Sequence, residues 1–290
     1  MNIEIIRFLQ NIRNDILDWF FYLITQIGDQ IIFIFIAVVI FWVYDKRFAF
    51  KITISFLLGS IINLAVKMTV KIDRPYTKPG ITEPNMPVLK PVLPGVHTEG
   101  YSFPSGHSQN AAVLGYSMID EAKKKGKKTV MIFSIIIMIL VPISRMYLAQ
   151  HYITDVIAGL VLGIIITCLI FKMIDKTNDK EHLYALFFIP IFLGLMVFLR
   201  NSLVPLAAGG YIGFVIGYYF EKTAINFKLK QPLGQQILKV LIGFVGIVGI
   251  YLLFKVVLPS GRWNDFFNYF SISLWATLGA PAVFKYGLKH

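Results

Sequence analysis

Long apolar blocks dominate the chain and are separated by short polar connections. Residues 31–44, 130–143, 156–171 and 240–254 are apolar almost throughout. An apolar stretch of about 20 residues can cross a bilayer as a helix, because a helix pairs its own backbone groups there. The pattern therefore predicts an all-α, polytopic membrane helical bundle of about nine spans: residues 20–44, 50–70, 105–120, 129–148, 153–174, 183–200, 203–220, 236–257 and 265–286.

The amino-terminal segment has a different pattern. Its apolar residues recur at helical spacing among charged ones: Ile5, Leu9, Ile12 and Ile16. This spacing predicts an amphipathic helix over residues 1–18 and is not typical of a cleavable leader. Such a helix lies either on the membrane surface or against the end of the bundle, and the sequence favours neither arrangement.

Composition supports a membrane protein. The 290 residues are 56% hydrophobic and only 15% charged, whereas soluble domains are about 25% charged. The single cysteine, Cys168, excludes a disulfide within the chain.

The net charge of +12 would suit a nucleic-acid partner if it were spread over one surface. Instead, most basic residues follow alternate predicted spans: Lys46, Arg47, Lys51, Lys123, Lys124, Lys125, Lys127, Lys128, Lys172, Lys176, Lys180, Lys222, Lys228, Lys230, Lys285 and Lys289. Cytoplasmic loops carry such an excess. We therefore expect a multi-pass protein of the cell membrane, with a cytoplasmic carboxyl terminus and no nucleic-acid partner.

The connection over residues 76–104 lies on the opposite, sparsely charged side. Seven of the chain's 13 prolines fall between Pro75 and Pro104. Proline restricts the backbone, and long connections often act as lids. We interpret this segment as a lid loop, with a disordered surface connection as the alternative.

Glycines at four-residue spacing indicate close helix packing. They are Gly159 and Gly163 in one predicted span, and Gly209, Gly213 and Gly217 in another. Packing within the chain is the first interpretation. The second series also leaves open a homodimer through residues 209–217.

Three polar clusters lie where predicted spans meet the outer face. One has Lys67 followed by Arg74, one reads Pro104-Ser105-Gly106-His107, and one contains Ser144, Arg145, His151 and Asp155. Although they are distant in sequence, each lies at the same membrane face, so the fold can bring them together.

The residue types in these clusters suit phosphoryl transfer, which needs positioning and neutralisation of the phosphoryl oxygens. Lys67, Arg74 and Arg145 supply positive charge, and arginine offers a planar fork that matches phosphate. Ser105 and Gly106 begin a helix, whose free N–H groups attract an anion. These cations already cover a phosphate, so neither a metal nor another cofactor is expected.

Two histidines complete the predicted chemistry. His151 and Asp155 are four residues apart, so on one helix they share a face. The carboxylate can hold one ring nitrogen and leave the other to attack phosphorus. His107 would protonate the leaving alkoxide and then activate water.

The motifs KxxxxxxRP, PSGH and SRxxxxxHxxxD, with the stretch SRMYLAQHYITDVIAG, resemble the type 2 phosphatidic acid phosphatase and haloperoxidase superfamily. The resemblance covers about residues 20–175. It implies a helical bundle with Lys67, Arg74, Ser105, Gly106, His107 and Arg145 around the phosphate, His151 as nucleophile and Asp155 supporting it. The spans favour the integral membrane, lipid phosphate phosphatase-like branch over the soluble haloperoxidases.

We therefore divide the chain into an amphipathic helix (1–18), a phosphatase core (19–175) and a four-helix membrane region of unknown role (176–290). The expected function in lipid metabolism is hydrolysis of phosphatidic acid, phosphatidylglycerol phosphate, a sphingoid phosphate or a polyprenyl diphosphate.

Two alternatives stay open. One is a phosphatase or phosphotransferase for a soluble phosphate such as a sugar phosphate. The other is a lipid transporter that uses the last four spans, in which Lys239 and Lys255 are the clear charges.

Overall fold

A computed structural model describes residues 3–86 and 101–288, and every regular element in this part of the chain is a helix apart from one isolated bridge between Asp73 and Tyr101. The thirteen α-helices described are α1 (Ile3–Asn11), α2 (Asp15–Gln26), α3 (Gln30–Val43), α4 (Lys46–Val70), α5 (Gly106–Lys124), α6 (Lys128–Tyr147), α7 (Ile153–Asp175), α8 (Glu181–Leu186), α9 (Ile189–Phe198), α10 (Leu203–Phe220), α11 (Leu233–Val257), α12 (Arg262–Leu274) and α13 (Ala280–Tyr286). The predicted all-α class is confirmed.

The predicted count of nine spans is not confirmed. Six helical segments are long and apolar enough to cross a membrane: Lys46–Val70, Lys128–Tyr147, Ile153–Asp175, Glu181–Phe198, Leu203–Ile225 and Leu233–Val257. A seventh span results if α2 and α3, which are bent by 49° at their junction, count as one. Helix α5 is not among them, and the segment predicted at 265–286 divides into α12, a π-helical turn (Trp275–Gly279) and α13.

The amino-terminal helix is shorter than predicted and packs against protein. Helix α1 ends at Asn11, and a new helix starts at Asp15, where the Asn14 side chain accepts a hydrogen bond from Leu17 N (3.0 Å). Asparagine is a favoured residue for capping a helix start, which explains the break. Ile6 of α1 is buried in a cluster with Ile81, Ala149 and Tyr152, so α1 lies against the end of the bundle.

The chain forms two compact units. The first comprises Met1–Phe35 and Leu58–Phe171, and in it α5 packs along α6. Helix α7 approaches α5 closely at its glycines, since a Cβ on Gly163 would lie 2.6 Å from the carbonyl oxygen of Gln109. Gly159 and Gly163 therefore serve helix packing within the chain.

The second unit comprises Ile36–Leu57 and Lys172–His290, and its main packing is between α10 and α12. A Cβ on Gly209 or Gly213 would overlap the carbonyl oxygens of Phe266 or Phe270 in α12. Gly209 and Gly213 therefore serve helix packing within the chain, and the homodimer stays a prediction. Buried Lys239 donates to the carbonyl oxygen of Lys228 at 2.7 Å.

Candidate active site

The first unit contains all eight residues that the sequence assigns to the site. His151 lies in the connection between α6 and α7, and Asp155 lies in the first turn of α7. Their side chains are 3% and 0% exposed, and His151 Nδ1 is 3.6 Å from Asp155 Oδ2. The predicted pair therefore faces each other, at a distance somewhat longer than a direct hydrogen bond.

Ser102 lies between these two residues. Its hydroxyl donates to Asp155 Oδ2 through a short hydrogen bond, and its Oγ is 3.3 Å from His151 Nδ1. The same carboxylate oxygen accepts the backbone N–H of Tyr152 at 2.8 Å. The arrangement orients the imidazole through a hydroxyl as well as through the carboxylate.

The two ring nitrogens of His151 have different surroundings. Its Nδ1 faces Ser102 and Asp155, and its Nε2 makes no hydrogen bond with any described residue. Burial, and next the positive charges of Arg74 and Arg145, hold the pKa of His151 well below its usual range. A neutral imidazole with a lone pair on Nε2 is the form that can attack phosphorus.

Arg74 is held by Gln150, the residue next to His151. Its Nη1 donates to Gln150 Oε1 at 2.8 Å, and Gln150 donates in turn to Glu83 through a short hydrogen bond. The Nε of Arg74 is buried without a hydrogen-bond partner. An unsatisfied buried donor on a fixed guanidinium is suited to receive an anion's oxygen.

Arg145 resembles Arg74 in being anchored by one hydrogen bond while its Nε is unpaired. It is buried, its Nη1 donates to Thr25 Oγ1 at 2.9 Å, and its Nε also lacks a partner. Two anchored guanidiniums with unsatisfied donors fit the predicted role in phosphate binding.

Lys67 contacts residues 101–104, which lead into the PSGH motif. Its ammonium group donates to the carbonyl oxygens of Pro104 (2.8 Å), Tyr101 (3.2 Å) and Ser102 (3.4 Å). An ammonium group has three N–H donors, so these contacts account for all of them. The structure places Lys67 as a support for this segment, and its predicted contact with phosphate stays a prediction.

Ser105 and Gly106 begin α5 as predicted. Ser105 is the N-cap residue, and its Oγ accepts hydrogen bonds from Ser108 N (3.3 Å) and Ser108 Oγ (2.9 Å). The hydroxyl thus fixes the helix start, where free N–H groups attract an anion. A Cβ on Gly106 would have no atom within 4 Å among the described residues, so protein packing does not explain the glycine.

His107 occupies the first turn of α5, and its Nε2 lies 4.0 Å from Asp29 Oδ2. His107 also exerts an electrostatic effect on His151, as do Lys67, Arg74 and Arg145. The fold therefore collects the three predicted clusters in one electropositive site.

Sequence reasoning missed five residues that contact this site: Ser102, Gln150, Glu83, Thr25 and Asp29. Ser102 and Gln150 adjoin the motifs in sequence, and this position could have identified them. Thr25 and Asp29 belong to the polar run TQIGD at the start of a predicted apolar span. About half of the predicted lid loop, residues 87–100, lies outside the described residues.

Curated relatives of the chain are lipid phosphatases by name. It is 43% identical over 93 residues to "Phosphatidylglycerophosphatase B" of Bacillus subtilis, covering 30% of this chain and 44% of that protein. It is 22% identical over 265 residues to "Sphingosine-1-phosphate phosphatase 1" of Rattus norvegicus, covering 81% of this chain and 59% of that protein. The chain thus spans less than two thirds of the length of these relatives.

Among solved structures, the chain is similar to a transmembrane PAP2-type phosphatidylglycerolphosphate phosphatase from Bacillus subtilis, with 27% identity and a TM-score of 0.48. The similarity covers 61% of this chain and 86% of that one.

Two family models match consecutive parts of the chain. Residues 48–179 match the PAP2 superfamily, and residues 205–290 match the transmembrane extension of PAP2 superfamily phosphatases. Together they account for about three-quarters of the chain. The chain is therefore a multi-pass integral membrane protein that belongs to the PAP2 superfamily and carries the superfamily's transmembrane extension.

Proposed function

We propose that this chain is a membrane phosphatase that hydrolyses a lipid phosphate or diphosphate through a phosphohistidine intermediate on His151. The observation that carries the proposal is the environment of the His151 side chain. It is buried, held on Nδ1 by Ser102 and Asp155, and subject to the positive charges of Arg74 and Arg145. Such a setting suits a nucleophile whose target carries negatively charged oxygens.

In the first step, His151 Nε2 attacks phosphorus and forms a P–N bond while the bond to the leaving oxygen breaks. His107 donates a proton to that oxygen, which leaves as the alcohol from a monoester or as the lipid monophosphate from a diphosphate. Arg74 and Arg145 receive the charge that spreads over the phosphoryl oxygens, together with the N–H groups at the start of α5.

In the second step, a water molecule attacks the phosphoryl group and the P–N bond breaks. His107, now neutral, takes a proton from the attacking water, so inorganic phosphate leaves and both histidines return to their starting forms. Asp155 and Ser102 keep the His151 ring in place throughout, which limits the reorganisation that each step requires.

A lipid substrate fits the position of the site. Helix α4 ends at Val70, α6 ends at Tyr147, and α5 and α7 begin at Gly106 and Ile153, so the site residues gather at one end of apolar helices. A phosphate at the level of lipid head groups would reach such a site. The names of the relatives support phosphatidylglycerol phosphate and sphingoid phosphates as the first candidates.

We further propose that the site faces the outside of the cell membrane and that the carboxyl terminus is cytoplasmic. The lysines between α5 and α6 lie at the end of α5 away from His107, which supports this orientation through the excess of basic residues in cytoplasmic loops. In a Cys168→Ser background, an impermeant thiol reagent should label Pro79→Cys in intact cells. Lys127→Cys should be labelled only after lysis, and the reverse pattern would overturn the orientation.

Phosphate release tests the reaction directly. Purified protein would be assayed in detergent with phosphatidylglycerol phosphate, phosphatidic acid, sphingosine 1-phosphate, a polyprenyl diphosphate and glucose 6-phosphate, with and without a chelator. We expect chelator-resistant release from at least one lipid. His151→Ala should abolish it, whereas His182→Ala, a histidine in the second unit, should not.

A rapid acid-free quench with labelled lipid should trap a phosphorylated protein in the wild type and none in His151→Ala. Turnover without a trapped species would argue against the covalent intermediate. Release from glucose 6-phosphate alone would replace the lipid substrate with a soluble one. Silence across the whole panel would overturn the hydrolase and return the transporter to consideration.

A further inference from the structure

We propose that residues 25–29, which comprise the end of α2 and the break before α3, are a fourth element of the active site, in which Thr25 positions Arg145 and Asp29 positions His107. The proposal rests on the proposed phosphatase function and adds two residues to it. Neither residue belongs to the three motifs, and both precede the segment that matches the PAP2 superfamily model, which begins at residue 48.

The break is a specific feature of the fold. Helix α2 ends at Gln26 and α3 begins at Gln30, with a bend of 49° between them. The end of α2 presents the Thr25 hydroxyl to the site, and the break adds the Gly28 carbonyl oxygen and the Asp29 carboxylate. Interruptions of membrane helices are tolerated where protein partners satisfy the exposed backbone groups.

The first contact joins Thr25 to Arg145. Both side chains are buried, and Arg145 Nη1 donates to Thr25 Oγ1 at 2.9 Å. A single neutral acceptor fixes the guanidinium without neutralising its charge. The fork therefore keeps its remaining donors, including the unpaired Nε, for an anionic ligand.

The second contact fits the break against the start of α5. Asn110 Nδ2 donates to the carbonyl oxygen of Gly28 at 3.0 Å. A Cβ on Gly28 would lie 2.8 Å from the carbonyl oxygen of His107 and 2.8 Å from Val141 Cγ1. Glycine is thus required at position 28 for the break to approach the helix turn that carries His107.

The third contact is between charges. Asp29 Oδ1 accepts the backbone N–H of Ile31 at 2.8 Å, which fixes the carboxylate, and Oδ2 faces His107 Nε2 at 4.0 Å. The other charged groups that act on His107 are the cations Arg145, Arg74 and Lys67. Burial and then three cations oppose the imidazolium that must donate a proton in the first step, and the Asp29 carboxylate at 4.0 Å is placed to offset them.

Asp29→Asn tests the charge. Removing the carboxylate makes the imidazolium of His107 less favourable, so the alkaline limb of the kcat/KM profile against pH should move to lower pH. We expect a loss of about tenfold at pH 8 and a smaller loss at pH 6. Asp29→Glu, which keeps the charge, should move the alkaline limb less than Asp29→Asn does. Asp15→Asn removes an equal charge from the exposed start of α2 and should not move the limb.

Thr25→Val tests the anchor. It keeps the side-chain shape but removes the acceptor, and should weaken inhibition by inorganic phosphate about fivefold to tenfold. Thr25→Ser should retain inhibition. Thr167→Val removes another buried threonine hydroxyl, which donates to the carbonyl oxygen of Gly163 at 2.7 Å, and should leave inhibition unchanged.

The shape of the pH profile and the phosphate inhibition constant separate positioning from folding, because partial loss of folded protein lowers the rate without altering either. An active wild type whose Asp29→Asn profile and Thr25→Val inhibition are unchanged would overturn this proposal alone. A wild type silent on every lipid would overturn the proposed function, and this proposal with it.

Discussion

The hydroxyl of Ser102 lies 3.3 Å from Nδ1 of His151, closer than the 3.6 Å that separates the same nitrogen from Asp155 Oδ2. Ser102 also donates to that carboxylate, so it links the two residues that the sequence predicts to be partners. The imidazole is therefore oriented by a pair of groups. The chain of contacts runs from Asp155 through Ser102 to the ring.

Ser102→Ala should reduce turnover while His151 remains chemically competent. A hydrogen bond to a charged group is worth about 1.5–3 kcal/mol, which corresponds to roughly 10-fold to 100-fold in kcat. Phosphate release by the purified variant measures the effect, and Ser102→Thr, which keeps a hydroxyl, should lose less. Equal rates for wild type and Ser102→Ala would show that Asp155 alone orients the ring.

The placement of several site residues is predictable from local spacing. Residues four apart share a helix face, which predicts the pairing of His151 with Asp155, and their side chains do face each other although His151 lies just before α7. Ser105 and Gly106 were placed at a helix start because they follow proline, and α5 begins there. Such inferences depend on a few neighbouring residues and need no tertiary structure.

The contacts between distant segments were not predictable in this way. Thr25 meets Arg145 across 120 positions of sequence because α2 packs on α6. The same limitation explains the bend within one predicted span. Hydropathy over residues 20–44 indicates one span, whereas α2 and α3 are bent by 49° at their junction, where the carbonyl oxygen of Gly28 accepts a hydrogen bond from Asn110 of α5.

The protonation of His151 should make the folded protein sensitive to acid. Burial lowers the pKa of His151 in the folded state, while in the unfolded chain it titrates near about 6.5. The unfolded state thus binds more protons as pH falls below that value, so stability is fully present above it and declines below it. The melting temperature in detergent, measured from pH 7.5 to 5, should fall less in His151→Asn than in the wild type.

His182→Asn provides a control, since this histidine is only partly buried and lies outside the first unit. Because His182 is less buried than His151, the melting temperature of this variant should follow the pH dependence of the wild type more closely than that of His151→Asn does. If His151→Asn and wild type lose stability in parallel, then burial of His151 does not set the acid response.

Lys67→Met should destabilise the segment of residues 101–104. The ammonium group satisfies three carbonyl oxygens of residues 101–104, and leaving one buried acceptor unsatisfied costs about 1–3 kcal/mol. Because 1 kcal/mol shifts Tm by roughly 2–4 °C in a chain of this size class, we expect a fall of several degrees together with lost activity. Arg145→Lys should instead lose activity and phosphate inhibition with a smaller change in Tm. A Lys67→Met variant with wild-type Tm but no phosphate inhibition would assign Lys67 to the phosphate and not to the segment.

Gly106→Ala and Gly159→Ala should have opposite effects on fold and function. A Cβ on Gly106 would meet no atom within 4 Å among the described residues, so Tm should hold or rise slightly, since alanine favours helices by about 0.5–1 kcal/mol over glycine. The same methyl group would stand where the phosphoryl oxygens approach the helix start, and a misplacement of about 1 Å can cost on the order of a hundredfold in rate. A Cβ on Gly159 would overlap the carbonyl oxygen of Ser105, so that variant should lose Tm. Measuring Tm and phosphate release on both variants separates the two roles, and normal turnover in a folded Gly106→Ala protein would place the phosphate away from the start of α5.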